Sequence, residues 1–188
     1  MAVLSNLEPK RVFEIFESLA SIPHGSRNTK AVSDWCADFA RARGLEYHQD
    51  GDNNIIIIKE AAPGYEAAPP VILQGHLDMV CEQTADCQKD MSREGLDLAV
   101  DGDFVYAKGT TLGGDDGIAV AMALALLDAE GLPHPRLEAV FTVDEEIGLL
   151  GAASIDVTPL KGRQMLNLDS EAEGIFTVSC AGGNTSAC

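Results

Sequence analysis

Three short apolar runs in this chain are each followed by residues of types that bind metal ions. The runs cover residues 71–74, 137–143 and 164–168. The residues that follow them are His76 and Asp78 after the first run, Asp144, Glu145 and Glu146 after the second, and Asp169 after the third. Short, bounded apolar runs are typical of buried strands. Because ligands bind at the carboxyl ends of the strands in an open α/β sheet, the pattern predicts such a sheet with a ligand site along one edge.

Segments with helical spacing alternate with these strands. Apolar residues recur at helical intervals over residues 8–21, and again from Ser26 or Asn28, either of which can cap a helix, to Gly44. The other expected elements are a strand pair at 45–48 and 54–58, a hairpin turn at 101–103, an alanine-rich helix at 118–127, a short helix at 148–153 and a strand at 175–180. This alternation predicts an α/β fold with a mixed, largely parallel sheet and helices on both faces.

The charge of the chain excludes several classes of partner. Its 188 residues include 30 Asp and Glu against 13 Lys and Arg, which gives a formal net charge of −17. Such a surface repels phosphate backbones and anionic lipid, so neither nucleic acid nor a membrane is an expected partner. The apolar stretch at residues 117–127 is too short to span a bilayer, and the first residues show no leader-peptide pattern. We therefore predict a cytoplasmic protein, with one domain or slightly more in this length.

His76 and Asp78 stand two residues apart at a predicted strand end. Residues two apart in a strand point to the same side, so both side chains can face one cavity. A carboxylate beside a histidine fixes its tautomer and raises its basicity as a metal ligand. For this pair alone, a hydrogen-bonded histidine at a strand end is the simpler explanation.

The acidic residues extend the candidate metal site. Asp115 and Asp116 begin the alanine-rich helix, where acids are also ordinary caps. Glu145 and Glu146 are adjacent after an apolar strand and repel each other unless a cation neutralises them. One of them can then bind metal while the other acts as a general base. For Asp169 alone, an ordinary position in a solvated loop is the simpler explanation. Taken jointly, the placements predict a metal-dependent hydrolase that uses a divalent ion such as zinc or manganese.

Four motifs together resemble a known family. They are Gln74-Gly75-His76-Leu77-Asp78-Met79-Val80, Gly109-Thr110-Thr111-Leu112-Gly113-Gly114-Asp115-Asp116-Gly117, Thr142-Val143-Asp144-Glu145-Glu146-Ile147-Gly148 and Asn167-Leu168-Asp169-Ser170-Glu171. With Ser21-Ile22-Pro23-His24 before them, they resemble the aminoacyl-histidine dipeptidase (Xaa-His dipeptidase) branch of the co-catalytic zinc exopeptidases, which also include aminoacylases and carnosinases. The resemblance runs from about Leu7 to the last residue. Gly114-Asp115-Asp116 departs from the Ala-Asp-Asn run that is usual in that branch.

The resemblance implies a role for each candidate residue. Asp115 would bridge two divalent metal ions, with zinc expected and manganese or cobalt as alternatives. His76 and Asp169 would complete the coordination of one ion, and Glu146 would bind the other. Glu145 would be the general base, and Asp78 would orient His76. The implied fold is the catalytic domain of the zinc exopeptidases.

The resemblance also implies that residues 1–188 form the N-terminal portion of a longer catalytic domain. In the family, the last metal ligand is a histidine that follows an inserted lid and dimerisation domain, and both are expected to lie outside this chain. We therefore expect this piece alone to be inactive, and the whole protein to be a homodimer that hydrolyses small Xaa-His peptides. Two alternatives stay open, namely a non-catalytic metal-binding α/β module and an amidohydrolase that acts on N-acyl amino acids.

Overall fold

The computed structural model describes residues 2–170 and 174–179. Four helices and seven strands occur among them. In chain order they are α1 (Lys10–Ala20), α2 (Lys30–Ala42), β1 (Glu46–Gln49), β2 (Ile55–Lys59), β3 (Val71–His76), β4 (Leu98–Asp101), β5 (Phe104–Ala107), α3 (Gly114–Asp128), β6 (Leu137–Thr142), α4 (Leu150–Ser154) and β7 (Gln164–Asn167). In this described part of the chain, no helix has the length and apolar character that crossing a bilayer requires.

Five of the strands form one sheet in the order β1-β2-β6-β3-β7. The pairs β1–β2 and β2–β6 are antiparallel, whereas β6–β3 and β3–β7 are parallel. The predicted mixed α/β fold is confirmed. Because β6, β3 and β7 run in the same direction, their carboxyl ends meet at one edge of the sheet, and so do the residues that follow them. A separate hairpin of β4 and β5 closes through the turn predicted at residues 101–103.

The two faces of the sheet are packed differently. Along β2, Ile55 and Ile57 belong to the large core shared with α1, α2 and α3, while Ile56 and Ile58 belong to a second cluster on the opposite face. Ile155, which follows α4, packs against that second cluster. The three long helices therefore lie on one face, and Ile155, directly after the short α4, helps to cover the other.

The start of α2 differs from the sequence prediction. The helix begins at Lys30, and neither Ser26 nor Asn28 caps it. Both side chains are bonded elsewhere, because Ser26 Oγ–H donates to Asp78 Oδ2 and Asn28 Nδ2–H donates to the carbonyl of Ser92. Ser26 and Asn28, which the local sequence predicts as possible caps, thus bond to residues far along the chain instead.

The strand predicted at residues 175–180 is also wrong over the part that can be described. Residues 175–179 have no strand pairing, and Cys180 lies outside the described residues. Phe176 and Val178 are 87% and 95% exposed. An apolar run forms a stable strand only when it pairs and packs, and these side chains have neither form of support within the described chain.

A buried acid inside β6 was not expected from the sequence. Glu138 is fully buried and accepts hydrogen bonds from Arg136 Nε and from the backbone N–H groups of Lys161 and Gly162, at 2.7, 2.9 and 2.9 Å. Arg136, also buried, reaches the exposed Glu60 as well. Burial alone would raise the pKa of Glu138, but these donors together hold it below its usual value. The network ties the segment before β7 to the second face of the sheet.

Candidate metal centre

His76 is the last residue of β3 and is buried. Its Nδ1–H donates to the carbonyl oxygen of Asp78 at 3.0 Å, and its Nε2 lies 3.1 Å from Asp115 Oδ1. Burial alone lowers the pKa of His76, but the neighbouring carboxylates of Asp78, Asp116 and Asp115 raise it to about 9. Surroundings that favour a proton on Nε2 also favour a metal ion there, because both are positive charges held by the same acids.

Asp115 and Asp116 lie at the start of α3 and face different surroundings. The Asp115 side chain is 71% exposed, whereas Asp116 is 3% exposed. Asp116 Oδ2 accepts the backbone N–H of His76 at 3.1 Å. Burial raises the pKa of Asp116 to about 7, against the opposing effect of the His76 hydrogen bond. The exposed Asp115 is therefore the acid that reaches toward the histidine ring, whereas Asp116 holds the end of β3 through the backbone of His76.

Asp78 joins three parts of the site. Its buried carboxylate accepts the backbone N–H of Glu145 on Oδ1 at 3.0 Å and that of Glu146 on Oδ2 at 3.3 Å. Oδ2 also accepts the Ser26 hydroxyl at 2.8 Å, and Oδ1 lies 3.4 Å from His76 Nδ1. Burial would raise the pKa of Asp78, but the hydrogen bonds from His76, Glu145 and Ser26 hold it below its usual value. This geometry supports the expected orienting role toward His76.

Glu145 and Glu146 occupy the turn after β6. Asp144, just before them, has a φ of 54°, in the left-handed region that makes the chain turn sharply. Both glutamates are partly buried. Burial, and then the charge of Asp115, raises the pKa of Glu146. Two partly buried acids beside a third are stabilised by a bound cation, which removes their mutual repulsion.

The predicted ligands converge at the carboxyl edge of the sheet. Ligand atoms of His76, Asp115 and Glu146 lie within 4.8 Å of one another, and so do those of Asp115, Asp116 and Asp169. Asp115 belongs to both groups, as a bridging ligand must. Imidazole nitrogen with carboxylate oxygens is a donor set that fits zinc and manganese. The expected assignment of His76 and Asp169 to the same ion stays a prediction, as does the role of Glu145.

Sequence reasoning missed the contribution of the connection between α1 and α2. His24 in this connection is buried, and its carbonyl oxygen accepts the N–H of Met79 at 3.2 Å. Ser26 follows, with its bond to Asp78. The only sequence signal was the resemblance of Ser21-Ile22-Pro23-His24 to the dipeptidase branch, because a serine between two helices is otherwise a plausible cap.

The close approach of Asp116 to β3 gives a stability prediction. A Cβ added to Gly75 would lie 2.6 Å from Asp116 Oδ2, which is held by the His76 backbone. We expect Gly75→Ala to lower the free energy of unfolding by about 2 kcal/mol, as for other overpacked buried sites. Urea denaturation measures the change. Gly51→Ala is the control, since a Cβ there meets open space, and equal stability of the two variants would contradict the prediction.

Comparison with known proteins places the chain in a family. The model of peptidase family M20/M25/M40 matches residues 72–181, which contain all the predicted ligands. The chain belongs to this family. The cytosol non-specific dipeptidase of Escherichia coli is 39% identical over 183 residues, covering 97% of this chain and 38% of that protein. The M20 chain thus spans well under half the length of that relative.

Solved structures agree with the family assignment. The crystal structure of aminoacylhistidine dipeptidase from Vibrio alginolyticus matches with a TM-score of 0.88 at 38% identity, over 91% of this chain and 35% of that one. A tripeptidase from Staphylococcus aureus matches with a TM-score of 0.72 at 22% identity, over 88% of this chain and 44% of that one, which shows a shared fold. The resemblance to the dipeptidase branch noted from the motifs is confirmed.

Proposed function

We propose that this M20 chain forms the metal-binding part of a dipeptidase that hydrolyses Xaa-His and related dipeptides with two divalent metal ions. The observation that supports this most strongly is the convergence of His76, Asp115, Glu146 and Asp169, from four separate segments, on one edge of the sheet. The relatives named above as dipeptidases support the substrate class.

Each residue has a chemical task in this proposal. His76, Asp115, Glu146 and Asp169 hold the metal ions, which when bound supply Lewis acidity toward the peptide carbonyl and the attacking water. Glu145 takes a proton from that water and returns it to the leaving amine. Because Asp78 holds the Glu145 backbone and faces His76 Nδ1, it keeps base and ligand in fixed relation.

The charge of the chain fits the positive amino terminus of a dipeptide substrate. A net charge of −17 attracts the free amino terminus of a dipeptide toward the site. We further propose that the protein acts in the cytoplasm, the compartment in the name of the Escherichia coli relative. A homodimeric assembly of the whole protein stays a prediction.

Metal titration by calorimetry tests the proposed site directly. We expect zinc and manganese to bind, and Asp115→Asn to weaken the affinity at least about 100-fold, because a shared ligand serves both ions. Asp101→Asn is the matched control, since Asp101 is an exposed acid at the end of β4, outside both ligand groups. Equal affinity of the two variants would exclude Asp115 as a ligand.

A substrate panel separates the proposed activity from its alternatives. Because this piece alone is expected to be inactive, the whole protein is assayed with Xaa-His dipeptides, other dipeptides and N-acyl amino acids, with and without added zinc. Metal-dependent turnover of dipeptides supports the proposal, and turnover of N-acyl amino acids alone points to an amidohydrolase. Metal binding by the whole protein without turnover of any substrate points to a non-catalytic module.

A further inference from the structure

The α1–α2 loop, residues 21–29, is fastened to the candidate metal centre at several points. Gly25 forms a parallel β-bridge with Met79, just beyond β3. The N–H of Arg27 donates to Asp144 Oδ1 at 2.6 Å. Between these two contacts, Ser26 Oγ–H donates to Asp78 Oδ2. The loop therefore spans the turn after β3, which carries Asp78, and the turn after β6, which carries the paired glutamates.

Ser26 makes the shortest hydrogen bond to the Asp78 carboxylate. Its hydroxyl lies 2.8 Å from Oδ2, whereas the Glu146 N–H that shares this oxygen lies 3.3 Å away. The terminal torsion of an aspartate is broad and is not fixed by local sterics. The partly buried Ser26 hydroxyl on one oxygen therefore helps to set the plane of the carboxylate. That plane fixes how the two oxygens meet the backbone N–H groups of Glu145 and Glu146.

We propose that Ser26 is a positioning residue of the M20 site, holding the Asp78 carboxylate in the orientation that fixes the backbone of Glu145 and Glu146 beside His76. Its link to catalysis rests on the proposed function, but its effect on the turn does not. A simple capping role does not explain the serine, because α2 begins at Lys30 with no side-chain cap bond.

Residue-resolved amide exchange, measured by NMR on the labelled chain, tests the positioning role. In Ser26→Ala we expect the amides of Glu145 and Glu146 to exchange about tenfold faster, the size usual for loss of a hydrogen bond to a charged group. Ser26→Thr keeps a hydroxyl and should restore slow exchange. Ser33→Ala is the control, because the buried Ser33 also loses a 2.8 Å side-chain bond, but to Gln49 of β1 and not to a residue of the candidate metal centre.

The outcomes are distinct. Faster exchange confined to the two glutamates, with rescue by threonine and none of this effect in Ser33→Ala, supports the proposal. Unchanged exchange at these amides, or an equal acceleration throughout the core, overturns it. If Ser26→Ala does not fold, Ser26→Cys takes its place. Cysteine has a similar volume and is a weaker donor, so the increase should be smaller but confined to the same two amides.

Zinc titration of the same variants separates this proposal from the proposed function. If the turn is held for metal binding, Ser26→Ala should weaken zinc affinity about tenfold, as losses of orienting partners do, while Ser33→Ala should not. Failure of the unaltered chain to bind zinc would count against the proposed function of this chain. The exchange result would still decide whether Ser26 positions the turn.

Discussion

Glu145→Gln is expected to lower dipeptide turnover about 1000-fold, within the usual range for loss of a general base. The glutamine amide has nearly the same size and shape as the glutamate carboxylate, but it cannot take a proton from water. Its backbone N–H remains bonded to Asp78, so the turn should keep its geometry. Metal affinity should therefore change little, because Glu145 is outside both ligand groups.

Steady-state kinetics of the whole protein, loaded with metal ions, measures this effect. Calorimetry on the same variant measures metal binding. Glu82→Gln is the matched control, since Glu82 is exposed and lies outside both ligand groups. Turnover retained in Glu145→Gln would remove Glu145 from the mechanism. Loss of metal binding together with turnover would instead make Glu145 a ligand.

Glu138→Ala is expected to lower the free energy of unfolding by about 3 kcal/mol, the size usual when a buried charge loses its partner. Arg136 would keep the exposed Glu60 as a charged partner and the carbonyl of Pro159 at 3.5 Å, and the N–H groups of Lys161 and Gly162 would lose their acceptor. Glu60→Ala is the matched control, because it removes the exposed partner of the same arginine. We expect that change to be below about 1 kcal/mol. Similar losses in both variants would contradict a special role for the buried acid.

The same acid predicts a pH dependence of stability. Because the pKa of Glu138 is lower in the folded state than its usual value, its contribution is complete above that usual value, about 4.3. It is lost as the pH falls from there through the lowered pKa of the folded protein. Urea denaturation over a range of roughly pH 3 to 6 spans this titration. Over that range the free energy of unfolding should fall less steeply with decreasing pH in Glu138→Ala than in the unaltered chain.

The acids of the metal centre differ in burial, and this difference bears on their roles. Asp116 is buried and bonded to the His76 backbone, whereas Asp115 is exposed and approaches the His76 ring. The departure from the usual Ala-Asp-Asn run thus adds a carboxylate that already has a structural partner. This supports Asp115 as the bridging ligand proposed from the motifs, with Asp116 close enough to add negative charge.

Local sequence patterns predicted most of the strands and helices. The run at 71–74 became β3, and the run at 137–143 became β6, because short apolar stretches bounded by polar residues have few other stable structures. The same patterns failed at residues 175–179, where the run has no neighbour to pair with in the described chain. They also failed at Ser26, whose long-range partner lies 52 positions away.

The sequence by itself determined which residues follow each strand, and therefore which side chains are available to bind metal. Only the tertiary structure decided that they meet, since the strand order β6-β3-β7 places their carboxyl ends side by side. It also decided which acid of an adjacent pair is buried, and that the α1–α2 loop reaches Asp78. Periodicity along a chain reports burial of one segment, whereas contacts between distant segments depend on packing that no single segment encodes.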